Sequence, residues 1–391
     1  MRVALLTREY PPEVYGGAGV HVEYLARELA RFEQVTVHAW GAGDVPHRAC
    51  DEFNGDAPQL TALRALSIDL SMAAKVEGAE IVHTHTWYAN LAGHLSKLMY
   101  GIPHVATTHS LEPLRPWKAE QLGGGYAISS WAEKTSLEAA DALIAVSNGA
   151  RQDLLAVYPA IDPARVHVIH NGVDTDEYAP DPGVDVLERY GVDPAKPYVV
   201  FVGRITRQKG VELLLQAARS FEPAAQLVLC AGSPDTPQLG AEVERWVAEL
   251  RVQRDGVFWL EEMLPKPEVI QLLSHATVFA CPSVYEPLGI VNLEAMACEV
   301  AVVATATGGI VEVVEEGKTG LLVPIEPGDD GTGAPRDATR FAADFAERVN
   351  VLLRAPQRAA EMGRAGRLRA IEHFSWTAVA ERVSALYHSL V

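Results

Sequence analysis

Two glutamates, Glu286 and Glu294, stand with seven residues between them in the stretch 281–297, an E-x7-E arrangement. An apolar run, Thr277–Ala280, reads as a buried strand entering this stretch. A turn with Pro287 and Gly289 follows, and an apolar helix opens near Gly289. A helix start offers free N–H groups and the positive end of a dipole, which suits a phosphate. Carboxylates beside an anion site do not bind the anion. They can accept hydrogen bonds from hydroxyls on the same ligand, as a phosphorylated sugar or a nucleotide ribose would present. The plainer alternative is two solvated acids near a helix N-terminus, where acids are favourable in any case.

Basic groups cluster at a second strand–turn–helix junction, Tyr198–Gly210. Arg204 offers a planar fork and Lys209 a mobile point charge, a pair suited to a pyrophosphate. Arg207 reads as surface charge. Two glycine turns enter helices, Gly16-Gly17-Ala18-Gly19 and Thr307-Gly308-Gly309, the second with Glu312 in the first helical turn. The first is not a dinucleotide fingerprint, because Val22 stands where a third glycine is needed, and no Gly-Lys-Ser/Thr makes it a P-loop. His83 and His85, at i and i+2, share one face of a strand and so resemble metal ligands, but no local carboxylate or cysteine joins them. His109 ends another strand, where open α/β sheets bind ligands. A core role fits His104 and His167 better. Arg115 and Lys118 follow His109 and read either as a phosphate pair or as a solvated loop. Asp174-Thr175-Asp176 matches a metal-binding D-x-D but follows Asn171-Gly172, so it reads as turn and cap chemistry.

The elements that must carry these groups alternate along the chain. Strand-like runs fall at 3–6, 35–39, 81–83, 105–107, 142–146 and 166–169. They resume at 198–202, 227–230, 257–260, 277–280, 302–304 and 321–323, with helical patterns between. This predicts an α/β protein with two Rossmann-like domains and parallel sheets. The expected division is an N-terminal domain over 1–170, an interdomain connection over 171–196 rich in Asp, Pro and Gly, and a C-terminal domain over 197–374. A last helix over 375–391, with Trp376, Val379, Val383, Leu386 and Leu390 on one face, should pack back on the first domain. Residues 326–335 read as a surface excursion. A length of 391 residues also favours two domains. A net charge of −18 argues against nucleic-acid or anionic-membrane partners, which need basic surface. Four scattered cysteines without C-x-x-C suggest free thiols and a reducing, cytoplasmic setting. The run Val3–Leu6 is too short for a signal peptide or a span.

Together the first glycine turn, His109, Gly203-Arg204 with Lys209-Gly210, the Glu286 and Glu294 pair and Thr307-Gly308-Gly309 resemble the retaining family 4 glycosyltransferases of the GT-B fold. The likeness covers the whole chain and is greatest for glycogen-synthase-like members that use ADP-glucose. It implies two Rossmann-like domains facing across a cleft that closes for reaction. It implies that Arg204 and Lys209 bind the donor diphosphate, helped by backbone N–H groups near Gly17, Leu288 and Gly289. Glu286 would accept from donor glucose hydroxyls, Glu294 from the ribose, and His109 would contact the donor sugar. The acceptor would meet Tyr15, Trp87, Arg115 and Lys118. No metal or other cofactor is implied. Residues 258–263 are the suspected contact for the base.

The expected reaction is retaining glucosyl transfer from ADP-glucose to glucose 1-phosphate, giving α-maltose 1-phosphate for α-glucan synthesis. The nearest alternative extends an α-1,4-glucan. Two departures from the family 5 glycogen synthases bear on this: Val14 replaces the lysine of K-x-G-G, and His85-Thr86-Trp87 replaces H-D-W. A nucleotide-sugar epimerase shares the architecture, but no separate acid/base pair is found for it. A non-catalytic sensor would not need Glu286, Arg204, Lys209 and His109 together, and a lipid-linked mannosyltransferase would want a basic amphipathic surface.

Overall fold

The computed structural model describes residues 1–14, 16–232 and 234–391. The chain divides into two compact units, 1–172 with 376–391, and 173–375. Each is built on a parallel sheet.

The first unit holds seven strands: β1 (Arg2–Leu6), β2 (Gln34–Trp40), β3 (Val45–His47), β4 (Ile81–His85), β5 (His104–Thr108), β6 (Ala142–Ala145) and β7 (Val166–Val168). Their order is β3-β2-β1-β4-β5-β6-β7. Side chains alternate faces along a strand, and β1 shows the consequence. Val3 and Leu5 pack with the helices Gly17–Leu29 and Trp376–His388, while Ala4 and Leu6 pack with helices Leu60–Ala73 and Trp87–Tyr100. Both faces are covered, so the central strands read as continuous apolar runs. The last helix closes one face through Trp376, Val379, Val383 and Tyr387, and the Tyr387 hydroxyl lies 2.6 Å from Nδ1 of His83.

The second unit holds β8 (Tyr198–Arg204), β9 (Gln226–Gly232), β10 (Val257–Leu260), β11 (Val278–Cys281), β12 (Ala301–Thr305) and β13 (Gly320–Val323), ordered β10-β9-β8-β11-β12-β13. One face packs Val199, Phe201, Leu227, Leu229, Val278 and Val303 against helices Val211–Ala218, Pro237–Gln253 and Ala338–Leu353. In both sheets the order reverses beside the first strand, which opens a crevice at the strands' carboxyl ends.

Three local expectations differ from what is found. The three-residue edge strand β3 was not expected, because Pro46 cannot donate to a ladder and is confined to edges. Residues 173–196 are more than a connection: they join the second unit and contain the helix Asp185–Arg189, which buries Val186 and Leu187. His167 is exposed rather than a core histidine, because β7 is the sheet edge, whereas His104 is buried and hydrogen-bonded to Thr84. Asp174 does cap its turn, accepting from the N–H groups of Asp176 at 3.1 Å and Glu177 at 3.0 Å. Among the described residues, all four cysteines are free thiols, and no helix is long and apolar enough to cross a membrane.

Candidate active site

In the second unit the functional groups gather where β8, β11 and β12 end. Arg204 is the last residue of β8, and its Nη2 donates to Asp235 Oδ1 at 2.7 Å. Lys209 ends a short 3-10 turn capped by the Thr206 hydroxyl. Its ammonium donates to Glu286 Oε2 at 2.6 Å. Burial pulls the Lys209 ammonium down, but the charges of Glu286 and Cys281 and the hydrogen bond to Glu286 outweigh it, so Lys209 is raised and stays charged. Ser283 also donates to Glu286, at 3.2 Å. Arg207 lies apart, 3.6 Å from Glu242 on the surface, as its surface reading implies.

Glycine matters here for close approach. The backbone of Glu286 lies on the Thr307-Gly308-Gly309 turn, where the Gly309 N–H donates to the Glu286 carbonyl at 2.9 Å. Gly308 has φ +50, and a Cβ there would strike that same carbonyl oxygen. Gly289, at φ +90, caps the helix Ile290–Ala297. That helix carries Glu294 and buries it beside Tyr178 and Lys266. Burial pushes the Glu294 carboxyl up to about 7, and the Tyr178 hydrogen bond and the Lys266 charge only partly oppose it.

The first unit gathers histidines at the carboxyl ends of β4 and β5. Nδ1 of His85 lies 3.1 Å from Nε2 of His109. His21, on the helix Gly17–Leu29, packs edge-on to His109 with ring centroids 4.6 Å apart. Its Nδ1 is 2.8 Å from Asn171 Oδ1. Burial lowers His21 to about 4 and holds His85 and His109 well below the ordinary imidazole range, with neighbouring imidazoles pushing the same way. His83 is engaged elsewhere, between Tyr387 and Thr107. Among the described residues, the group close enough to share a divalent cation is His21, His85 and His109, with one ring nitrogen each inside 4.8 Å. His83, the neighbour of His85 that resembles a metal ligand in the sequence, is not one of these three.

Between His85 and Trp87, Thr86 has φ +66 and ψ 162. A β-branched residue there is strained by ~1–3 kcal/mol, the kind of cost that clusters at functional sites.

The first glycine turn holds a carboxylate of this chain. The Gly16 N–H donates to Glu9 Oε2 at 2.8 Å, and a Cβ on Gly19 would strike the Glu9 side chain. Gly17 opens the helix beside it. Of the residues expected to meet an acceptor, Tyr15 lies outside the described residues. Trp87 is 2% exposed and packs with Ala62, Ala65 and Leu122, so its ring fills core instead of lining an open surface. Lys118 is buried, with its ammonium donating to Gln121 Oε1 at 2.6 Å. Arg115 donates from Nη1 to Ser110 Oγ at 3.0 Å, next in sequence to His109.

Sequence reasoning assigned no role to His21, Asp235, Ser283, Tyr178 or Lys266. His21 had a usable signal: it lies four residues after Gly17, on the helix face above that turn. Asp235, Tyr178 and Lys266 act across long stretches of chain, where spacing carries no signal, whereas Ser283 lies close before Glu286 in the same turn.

Residues 15–177 match the model of Glycosyltransferase Family 4, and residues 187–369 match that of Glycosyl transferases group 1. The chain belongs to the family 4 glycosyltransferases of the GT-B fold and is a hexosyltransferase. It is 56% identical to the alpha-maltose-1-phosphate synthase of Mycolicibacterium smegmatis and 53% identical to that of Mycobacterium tuberculosis, with 100% of each chain covered. Among solved structures, sucrose-phosphate synthase from Thermosynechococcus elongatus superposes with a TM-score of 0.80 at 26% identity, covering 100% of this chain and 99% of that one.

Proposed function

We propose that this enzyme transfers glucose from ADP-glucose to glucose 1-phosphate with retention, forming α-maltose 1-phosphate for α-glucan synthesis in the cytoplasm. The observation that carries this reading is the full-length similarity to two synthases of that product. The site chemistry supports it. The bond from glucose C1 to the departing diphosphate breaks, and a bond from the acceptor hydroxyl oxygen to C1 forms on the same face. The hydroxyl proton passes to the diphosphate, which leaves as ADP. Negative charge grows on that diphosphate as the sugar becomes oxocarbenium-like, and Arg204 and Lys209 meet the charge where it develops. With two fixed cations in that role, the reading assigns no metal or other cofactor.

Glu286, freed from Lys209 as the lysine turns to phosphate, takes glucose hydroxyls. Glu294 takes the ribose, backbone N–H groups at Leu288 and Gly289 take phosphate oxygens, and His109 takes the donor sugar. Arg115 and Lys118 are assigned to the acceptor phosphate, where charge-assisted hydrogen bonds of ~1.5–3 kcal/mol each would select it over free glucose.

The test offers ADP-glucose with glucose 1-phosphate in one vessel and with a short α-1,4-glucan in another, following ADP release and product mass. A phosphorylated disaccharide in the first vessel alone is expected. Turnover with the glucan alone would make the enzyme a glucan synthase.

A further inference from the structure

Arg8 follows β1 and was assigned no role by sequence pattern. Its guanidinium carbon lies 4.3 Å from the centroid of the Tyr88 ring and 5.2 Å from that of Trp40. Contacts of this kind hold a guanidinium by its face and fix the plane of its fork. Tyr88 is the second residue of the helix after β4, and Arg115 and Ser110 follow β5. Since β1, β4 and β5 are neighbours in the sheet, all four residues come from one edge, the carboxyl end.

The second guanidinium belongs to Arg115. Its side chain is 17% exposed, one nitrogen is fixed on Ser110, and its Nε is buried with no hydrogen-bond partner. A buried donor without a partner is costly and marks a position where a ligand oxygen or a water completes the site. The phenol of Tyr88 feels both cations: burial raises it, with Glu112 and Glu9 pushing the same way, and Arg8 and Arg115 pull it back down. Both cations therefore lie within electrostatic reach of one phenol at this end of the sheet. The acidic groups nearby have other duties. Glu112 accepts from Ser129 at 2.8 Å and lies 3.8 Å from Arg115, and Glu9 accepts from Gly16.

We infer that Arg8 and Arg115, with the Tyr88 hydroxyl between them, form a subsite for a phosphomonoester, and that Arg8 is a specificity-determining residue for the acceptor. Two planar forks can each engage a tetrahedral dianion through two oxygens, and the phenol can donate to a third. Ser110 ties Arg115 to the residue next to His109, so a phosphate held here keeps a short sugar at the histidine cluster. The inference rests on the reading that the acceptor carries phosphate, and it adds to that reading a cation from the first strand.

The test compares wild type with Arg8→Gln and Arg8→Lys, using intact protein checked by thermal melting. Two quantities are read: the KM for glucose 1-phosphate beside that for ADP-glucose, and direct binding of inorganic phosphate by calorimetry. Arg8→Gln is expected to raise the acceptor KM and the phosphate Kd by about tenfold or more, the loss of one charge-assisted contact, with the donor KM within about twofold. Arg8→Lys, which keeps charge and loses the fork, should fall between, and it carries the test if Arg8→Gln does not fold. An acceptor KM and a phosphate Kd unchanged in both variants would overturn the subsite. If wild type binds phosphate through Arg8 yet makes nothing from glucose 1-phosphate, the functional reading fails and the subsite stands.

Discussion

Nδ1 of His85 and Nε2 of His109 face each other at 3.1 Å, and burial keeps both imidazoles neutral. One of the two must donate. The other nitrogen of His85, Nε2, is buried with no partner. If His109 donated, His85 would carry its proton on that Nε2, leaving a buried N–H unmet. If His85 donates, only a lone pair is unmet, and orphaned acceptors are tolerated better than orphaned donors. His85 therefore fixes His109 as the tautomer with its proton on Nδ1.

His85→Phe removes that donor while keeping a ring. It should lower kcat by about ten- to hundredfold, the scale of one buried hydrogen bond, with donor Kd held within about twofold. Steady-state kinetics beside calorimetric binding of ADP-glucose checks this. Unchanged kcat would remove His85 from any positioning role.

Lys209→Ala leaves the carboxylate of Glu286, 9% exposed, without its cation. Breaking a buried pair from one side costs about 3–5 kcal/mol of stability, and losing one transition-state donor costs about a hundred- to thousandfold in kcat. Thermal melting and kcat should both fall. Lys209→Ala combined with Glu286→Gln should recover much of the melting temperature and none of the activity, because the stranded charge is gone and the donor is still missing.

The carboxyl of Glu294 is raised to about 7 by burial, so under its proposed role at the ribose nucleotide binding should depend on pH. Below that value the group is protonated and offers the ribose less acceptor capacity; above it, a carboxylate accepts from both hydroxyls. ADP affinity should therefore rise as pH increases from 6 to 8, by about tenfold at most. Glu294→Gln should flatten the profile to the titration of the phosphate alone. Parallel profiles for the two proteins would show that Glu294 does not meet the nucleotide as a carboxylate.

Thr86, at φ +66, holds strain that glycine would relieve. Thr86→Gly should raise stability by roughly 1 kcal/mol after the entropy of an added glycine, and lower turnover because His85 and Trp87 lose a fixed joint. A stabilised variant with full activity would make the strain incidental.

Most of the architecture was legible because it is repetitive. Buried parallel strands such as Val278–Cys281 are short apolar runs, and the helices between them carry their own periodicity. The strand Val45–His47 was not legible, since Pro46 argues against a ladder. Which groups lie together was legible where a local motif joins them, as at Glu286 with Gly289 or Arg204 with Lys209. It was hidden where a contact joins distant segments. Nothing near Arg204 announces Asp235, and His21 is signalled by its own helix, four residues after Gly17, and not by anything near His109. Trp87 misled for a related reason: its place beside the histidines along the chain says nothing of the core formed by Ala62 and Leu122, into which its ring turns.

The central claim is retaining glucosyl transfer to a sugar phosphate, and proton and phosphorus NMR of the product from ADP-glucose and glucose 1-phosphate tests it most directly. The account predicts one disaccharide with two α-anomeric protons, one of them coupled to phosphorus, appearing in step with ADP. A β-anomeric linkage, or ADP release with glucose 1-phosphate unchanged, would contradict it.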